Sequence, residues 1–517
     1  MLKSTTFSCV IQKSYPIPHL ANGTHLHGAA VPDRLGSQLK KVLLVSTCFV
    51  KTKVDFGMTE SQTSHEDLPM VLNFDVLLTV MSHLQGSELL PVMQSCRDLY
   101  TGGIPHLLRL PVVLRSRARI LSFCYFILIE PSRFQYLRSL EIRAPGRFQA
   151  GPKADLFLAM LMHATHLEEF KVLDCEILLS DERIPAAVAA LTSLKSVSFP
   201  ALNLAATSIL ATSQSPINKV EIGFWSDDAV GPDDPVPLLT LFTHSLRELR
   251  VTYAEFGRQD IQYPYLDVLV VDDCRFAQVQ PLIKSFPNVR DLSLWTGQED
   301  EDLEADEVDE HRQMNISAQE EHTWDRLEFL RGDIRSLYLL GVTSHVPHLD
   351  VHSAFLTPAR ANELAALLIT NRPSTLSVRV KVWELDKHVF TEVLRPVNQS
   401  LTRLVLYLNF CSTVHRTSIP SGQILDCLSA TLAHTSIADL VLHLCWDDIT
   451  VDLLSGHDLD GFSAAVLERV PSLRRLLLVD PYERLLTSWE SKPDRNPQKL
   501  DDAGAFAMLA EGDSQLQ

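Results

Sequence analysis

The stretch best furnished for chemistry is SHVPHLDVH, which holds His345, His348, Asp350 and His352. In an extended segment His348, Asp350 and His352 share one side, and imidazole and carboxylate both ligate zinc. A polar loop between repeats gives the same string, and no cysteine stands near it in sequence, so no metal is assigned. The other concentration is EDEDLEADEVDE, residues 299–310, with nine carboxylates and no base. It offers oxygens to a cation or a basic partner, but a block of like charge repels itself into solvent. A solvated acidic loop over 298–312 is therefore expected. No G-x-S-x-G, phosphate-binding glycine loop, G-x-G-x-x-G or H-E-x-x-H occurs. The expectation is a protein with no catalysis of its own and no cofactor.

The 517 residues suggest about three domains. Acids outnumber bases 64 to 46, a net charge of −18, half of it from the acidic block. That balance argues against nucleic acid or an anionic membrane as partner. The nine cysteines are dispersed without a C-x-x-C, as reduced thiols are. VLLVSTCFV (42–50) and ILSFCYFILI (120–129) fall short of the ~18 apolar residues of a membrane span. The first residues lack a continuous apolar signal core. A cytoplasmic and/or nuclear location is expected.

Residues 1–66 show no sustained period and read as a disordered N-terminal segment. From Leu72 the pattern is helical. Val76, Leu77, Val80, Met81 and Leu84 fall on one face. Gly86-Ser87 breaks the chain, with Ser87 a helix cap and Glu88 in the first turn. A second helix then directs Leu89, Leu90, Val92, Met93 and Cys96 inward. Gly102-Gly103 is expected to end it, and IPHLLRL to start a third.

Beyond about residue 130 the hexamer L-x-x-L-x-L recurs with loose apolar substitution. It appears as LRSLEI (137), LEEFKV (167), LKSVSF (194), INKVEI (217), LRELRV (246), LDVLVV (266) and VRDLSL (289). It continues as IRSLYL (334), PSTLSV (373), LTRLVL (401), IADLVL (437) and LRRLLL (473). Most intervals are close to the ~20–29 residues of leucine-rich repeats, and the longer ones have room for insertions. Helical segments such as PKADLFLAMLMHAT lie between the hexamers. The expected fold is α/β: a small three-helix module over 67–115, then an irregular leucine-rich-repeat solenoid over 116–490. Its parallel strands would line the concave side and its helices the convex side, with a C-terminal tail over 491–517.

The segment LNFDVLLTVMSHLQGSELLPVMQSCRDLY resembles an F-box, whose common form starts L-P-x-[DE]-[IVL]-[IL] and later runs [DE]-L…V-[CS]-[KR]. Leu72, Asp75, Val76, Leu77, Val80, Met81, Leu84, Glu88-Leu89 and Cys96-Arg97 match it. Where the family has proline, this chain has Asn73. Either the helix entry differs, or Asn73 caps the helix in its stead. The resemblance implies a substrate-recognition subunit of a Skp/cullin/F-box ubiquitin ligase. The F-box would dock a Skp-family adaptor and through it a cullin, and the repeats would hold a protein substrate. Adaptor-contact candidates are Leu72, Asp75, Val76, Leu77, Val80, Leu84, Leu89, Cys96 and Arg97. The alternative is a leucine-rich-repeat interaction scaffold without a ligase role.

Alternation along each strand selects the residues that face away from the core. Those chosen as substrate contacts are Glu221, Arg250, Asp272, Trp295, Tyr338, Arg379, Tyr407 and His443. Toward the C-terminal end the same positions turn apolar, at Val405, Val441 and Leu477. Either a tail or loop covers them or they form a binding pocket, and covering is the favoured expectation.

Overall fold

The computed structural model describes residues 73–500 apart from 149–150, 225–233, 274–277, 296–304, 356, 383–392, 396–398, 411–420, 434, 447–458, 480–484 and 492–496. Among these residues sixteen strands form one sheet in strict chain order. They are β1 (Val112–Leu114), β2 (Ser139–Ile142), β3 (Glu169–Val172), β4 (Ser196–Phe199), β5 (Lys219–Gly223), β6 (Glu248–Thr252), β7 (Val268–Asp272) and β8 (Asp291–Trp295). The sheet continues with β9 (Phe329–Asp333), β10 (His348–Phe355), β11 (Thr375–Val382), β12 (Arg403–Phe410), β13 (Asp439–Trp446), β14 (Arg475–Val479), β15 (Leu485–Ser491) and β16 (Pro497–Lys499). Pairing is parallel from β1 to β14, and antiparallel for the last two strands. A long, mostly parallel sheet in chain order, with helices or short helical turns in most connections, is the architecture of a leucine-rich-repeat-like solenoid.

The hexamers set the register. Their second apolar position forms an aligned ladder through Leu249, Leu269, Leu292 and Leu330, each fully buried. The next inward rung joins Val251, Val271 and Leu294. Residues between these rungs leave the core for the open face of the sheet.

One hexamer departs from the pattern. IRSLYL is the helix Ile334–Leu340, and the strand of its repeat is the preceding β9. Asp333 caps this helix, accepting from Ser336 N at 2.8 Å, and Gly341 ends it in the left-handed region at φ 61°. Two local stop-and-start signals thus outweigh the apolar spacing. Tyr338 consequently sits on a helix and not on the open face. The string SHVPHLDVH, allowed above as a loop, contributes the start of β10.

The acidic block is corrected in its second half. Residues from 305 onward enter the helix Ala305–Ala318. Val308, Arg312 and Asn315 are buried at helical spacing, which a solvated loop does not require. Arg312 donates to the carbonyl oxygen of Tyr338 at 2.6 Å and lies 4.2 Å over its ring. The Tyr338 hydroxyl donates to Asp309 at 2.7 Å. Burial holds the Arg312 pKa below its ordinary value, against opposing contributions from Tyr338, Asp309 and Glu363.

The N-terminal module is three helices, Phe74–Ser82, Gly86–Met93 and Arg97–Arg109. Asn73 does cap the first, its side chain accepting from Asp75 N at 3.1 Å. Gln85, not Ser87, caps the second, through a reciprocal bond from its own N–H to Glu88 at 3.1 Å. Gly102-Gly103 lies inside the third helix instead of ending the second. A Cβ on Gly103 would clash with Met93 Cγ and stand 2.6 Å from Met81 Cε. The glycine is there so that the helices can approach. Leu77, Met81, Leu89 and Met93 join the hydrophobic core that continues to Leu478.

At the other end, Val441, Leu477 and Val479 face outward yet are at most 2% exposed, with Leu500 packed against them. The tail expected over 491–517 therefore begins with structure: β16 pairs with β15, and Leu500 N donates to Ser488 O at 2.9 Å. The covering expectation holds at Leu500.

Candidate functional site

Two surfaces collect the candidate residues. On the helical module the first helix is split by its 3.6-residue period. Leu77 and Met81 point into the core, while Phe74, Val76 and Val80 are 42%, 47% and 45% exposed. Tyr100 of the third helix, also exposed, adds to these apolar groups. Leu77 and Leu89 are corrected here: both are closed off in the core and offer no contact surface. Cys96, expected inward, is exposed as the cap residue of the third helix. Asp75 and Arg97 are exposed, Leu84 is half-buried, and Leu72 lies outside the described residues. Phe74 is an exposed apolar residue that the motif did not single out.

The second surface is the open face of the sheet, the concave side expected of such a solenoid. Glu221 and Arg250 are paired in one outward row. Asp272 and Trp295 are paired in the next, as are Arg379, Tyr407 and His443. Seven of the eight selected residues thus share this face, and Tyr338 is the exception.

Its N-terminal half is an ionic network. Glu221 accepts from Ser198 at 2.7 Å and from Lys171 at 3.2 Å. Burial pushes the Glu221 carboxyl up, but those hydrogen bonds and the charge of Lys171 prevail and leave it below its ordinary value. Asp272 goes the other way. Burial, with the charges of Asp273 and Glu221, raises it to about 6 against the pull of Arg250. Tyr253 and Asp273, which follow β6 and β7, sit at φ 57° and 52°, where non-glycine residues are uncommon.

The C-terminal half is built from rings and guanidinium groups. Trp295 meets His352 edge to face at 4.6 Å. It reaches across β9 because the Asp333 side chain is turned to the helix it caps. Arg379 lies 4.2 Å over the Tyr407 ring, which stacks 4.0 Å from His443. Asp350 is held by Arg331 at 3.0 Å. Its other oxygen stands 3.3 Å from His352 Nε2, within ion-pair reach but not aligned as a hydrogen bond. Burial would raise the Asp350 carboxyl, yet His352, Arg331 and Arg379 together lower it. His348 stacks on Phe329 at 4.5 Å, and burial lowers its pKa. The three zinc-capable residues do share one side of β10, as their spacing implies, but each is engaged with a different neighbour. Among the described residues no group of three such ligands is placed to hold a metal ion.

No family model matches this chain, and no curated protein does. Among solved structures, the leucine-rich repeat-containing protein LegL7 from Legionella pneumophila is similar at 11% identity, over 69% of this chain and 88% of that one, with a TM-score of 0.27. Among the described residues no helix is long and apolar enough to cross a membrane.

Arg331, Phe329 and the open-face role of Asp350 escaped the sequence reading for one reason. The strands of this stretch lie in LEFLRG (327) and VPHLDV (346), and IRSLYL only shares the spacing. With those two restored, the intervals of 45 and 39 residues become 38, 19 and 27. The signal was present, and the Asp333…Gly341 caps would have revealed it.

Proposed function

We propose that the protein is a receptor without catalysis of its own, a repeat-based interaction scaffold that carries a docking module. The helical module binds a Skp-family adaptor and through it a cullin, and the open face of the solenoid holds a protein to be ubiquitinated. The observation that carries this reading is the exposed apolar set Phe74, Val76, Val80 and Tyr100, on a module whose inner side is already buried in its own core. Val76 and Val80, one turn apart on one side of the first helix, are exposed apolar groups that a partner would cover, at ~25 cal/mol per Å² of area buried. The adaptor is proposed as that partner on the strength of the F-box-like residues. On the solenoid, the aromatic and arginine side chains of β8–β13 are the types that anchor protein interfaces.

The test is a pull-down of the full chain with a purified Skp-family adaptor. Val76→Asp with Val80→Asp places charge on the exposed face, so binding collapses while the circular dichroism spectrum stays unchanged. If the wild type has no affinity for any such adaptor, the ligase role is lost and the scaffold without an adaptor is what remains.

A further inference from the structure

The chain carries a net charge of −18, yet the outward positions of β9–β14 reverse that sign. Arg331, Arg379, Arg403 and Arg475 occupy them against Asp333, Asp350 and Asp439. Asp333 faces its helix cap, and Asp350 and Asp439 are paired with Arg331 and Arg475. Arg379 is exposed, with its guanidinium carbon 4.2 Å from the Tyr407 ring centroid, its charge felt by Asp350, and Tyr407 backed by the nearly buried His443. The contact with the ring restricts the Arg379 side chain, which stays exposed.

We propose that this strip, centred on Arg379, receives an extended acidic segment of the protein partner, with Arg379 gripping a glutamate or aspartate carboxylate. The inference rests on the reading of the open face as the partner-binding surface and adds the chemistry of what binds there. A guanidinium matches a planar carboxylate through two parallel N–H bonds. Trp295, braced by His352 in the same outward row, supplies a ring for the apolar part of the segment. The three strand steps from β8 to β11 span roughly 14 Å at ~4.8 Å each, a reach of about four extended residues. The negative remainder of the molecule repels a generic polyanion, so binding of one reports this strip and not diffuse attraction.

The experiment titrates the full chain against a dye-labelled oligoglutamate peptide and an oligolysine control by fluorescence anisotropy. Expected are oligoglutamate binding, at least about tenfold weakening by Arg379→Ala, and little recovery by Arg379→Lys, which keeps the charge but not the fork. Oligolysine binding should be indifferent to both variants. No oligoglutamate binding, or binding that Arg379→Ala leaves unchanged, overturns the proposal. A phosphoserine peptide that binds where oligoglutamate does not overturns the carboxylate assignment. Adaptor pull-down on the same preparations separates the readings. A wild type that binds adaptor but not oligoglutamate sinks this inference alone, whereas one that binds no adaptor sinks the ligase role.

Discussion

The first helix of the N-terminal module and strand β6 of the solenoid sort their residues by different periods, and the outcomes differ. In β6 the two-residue alternation sends Leu249 and Val251 fully inward and leaves Glu248 and Arg250 on the open face. Apolar and polar character separate cleanly. In the helix Phe74–Ser82 the 3.6-residue period buries Leu77 and Met81 but leaves Phe74, Val76 and Val80 in solvent. A strand that belongs to a sheet finds its neighbours in the next repeats. In the three-helix module several apolar groups stay outside such packing among the described residues. The solenoid face thus carries paired charges, and the module face exposes apolar groups.

The largest expected effect tests the clean separation in the solenoid. Leu249→Ala should cost about 2–5 kcal/mol, from lost burial and the cavity left between two repeats. Arg250→Ala, one residue on, should stay within about 0.5 kcal/mol, since an exposed side chain leaves no cavity. Urea denaturation of the two variants decides the matter. Equal losses would show that Arg250 is structural, and the contrast between inward and outward rows would fail.

A smaller effect sharpens the module side. Gly103→Ala puts a methyl group where Met93 and Met81 now meet the third helix. Both neighbours are flexible methionine side chains, so they can yield in part, and a cost of about 1–3 kcal/mol is expected for overpacking. The solenoid should be untouched, because strain in stacked repeats stays local. Hydrogen exchange should therefore show faster opening over 74–109 and little change at β6–β8. Equal acceleration in both regions would show that the module and the solenoid fold as one unit.

How much of this was legible follows from which signals are local. The hexamers named eleven strands correctly, because an apolar pair at spacing three and a third at spacing five can be read without knowing the fold. IRSLYL carries the same spacing and became a helix. Its capping Asp333 and the left-handed Gly341 are equally local, but they compete with the pattern and were not weighed against it. The Gly102-Gly103 pair was read as a break because glycine most often punctuates. Its real role depends on Met81 and Met93 arriving from two other helices, which no local pattern reveals. The open-face residues were found by parity alone. Their pairing, such as Arg379 over Tyr407, depends on strand register across repeats 28 residues apart in sequence.

The smallest expected effect concerns a charge on the solenoid face. Asp272 is raised to about 6, chiefly by burial, with Arg250 opposing and Asp273 and Glu221 adding to the rise. Its unfolded value is about 3.9. Between pH ~4 and ~6 the folded chain then binds more protons at this group than the unfolded chain does, so stability falls as pH rises through that window. At neutral pH the ionised Asp272 is a net cost. Asp272→Asn keeps the shape and removes the charge, and should stabilise by about 1 kcal/mol at pH 7 once solvent screening is allowed for. Near pH 4 the gain should vanish, because the wild-type carboxyl is then protonated in the fold. Thermal melts at pH 4, 5.5 and 7 would show it. A variant less stable than wild type at pH 7 would mean that Arg250 holds the carboxylate more strongly than burial opposes it. In that case the N-terminal half of the open face is a stabilising ion network and nothing more. If the gain appears, the chain keeps a carboxylate there against its own stability, as binding surfaces do.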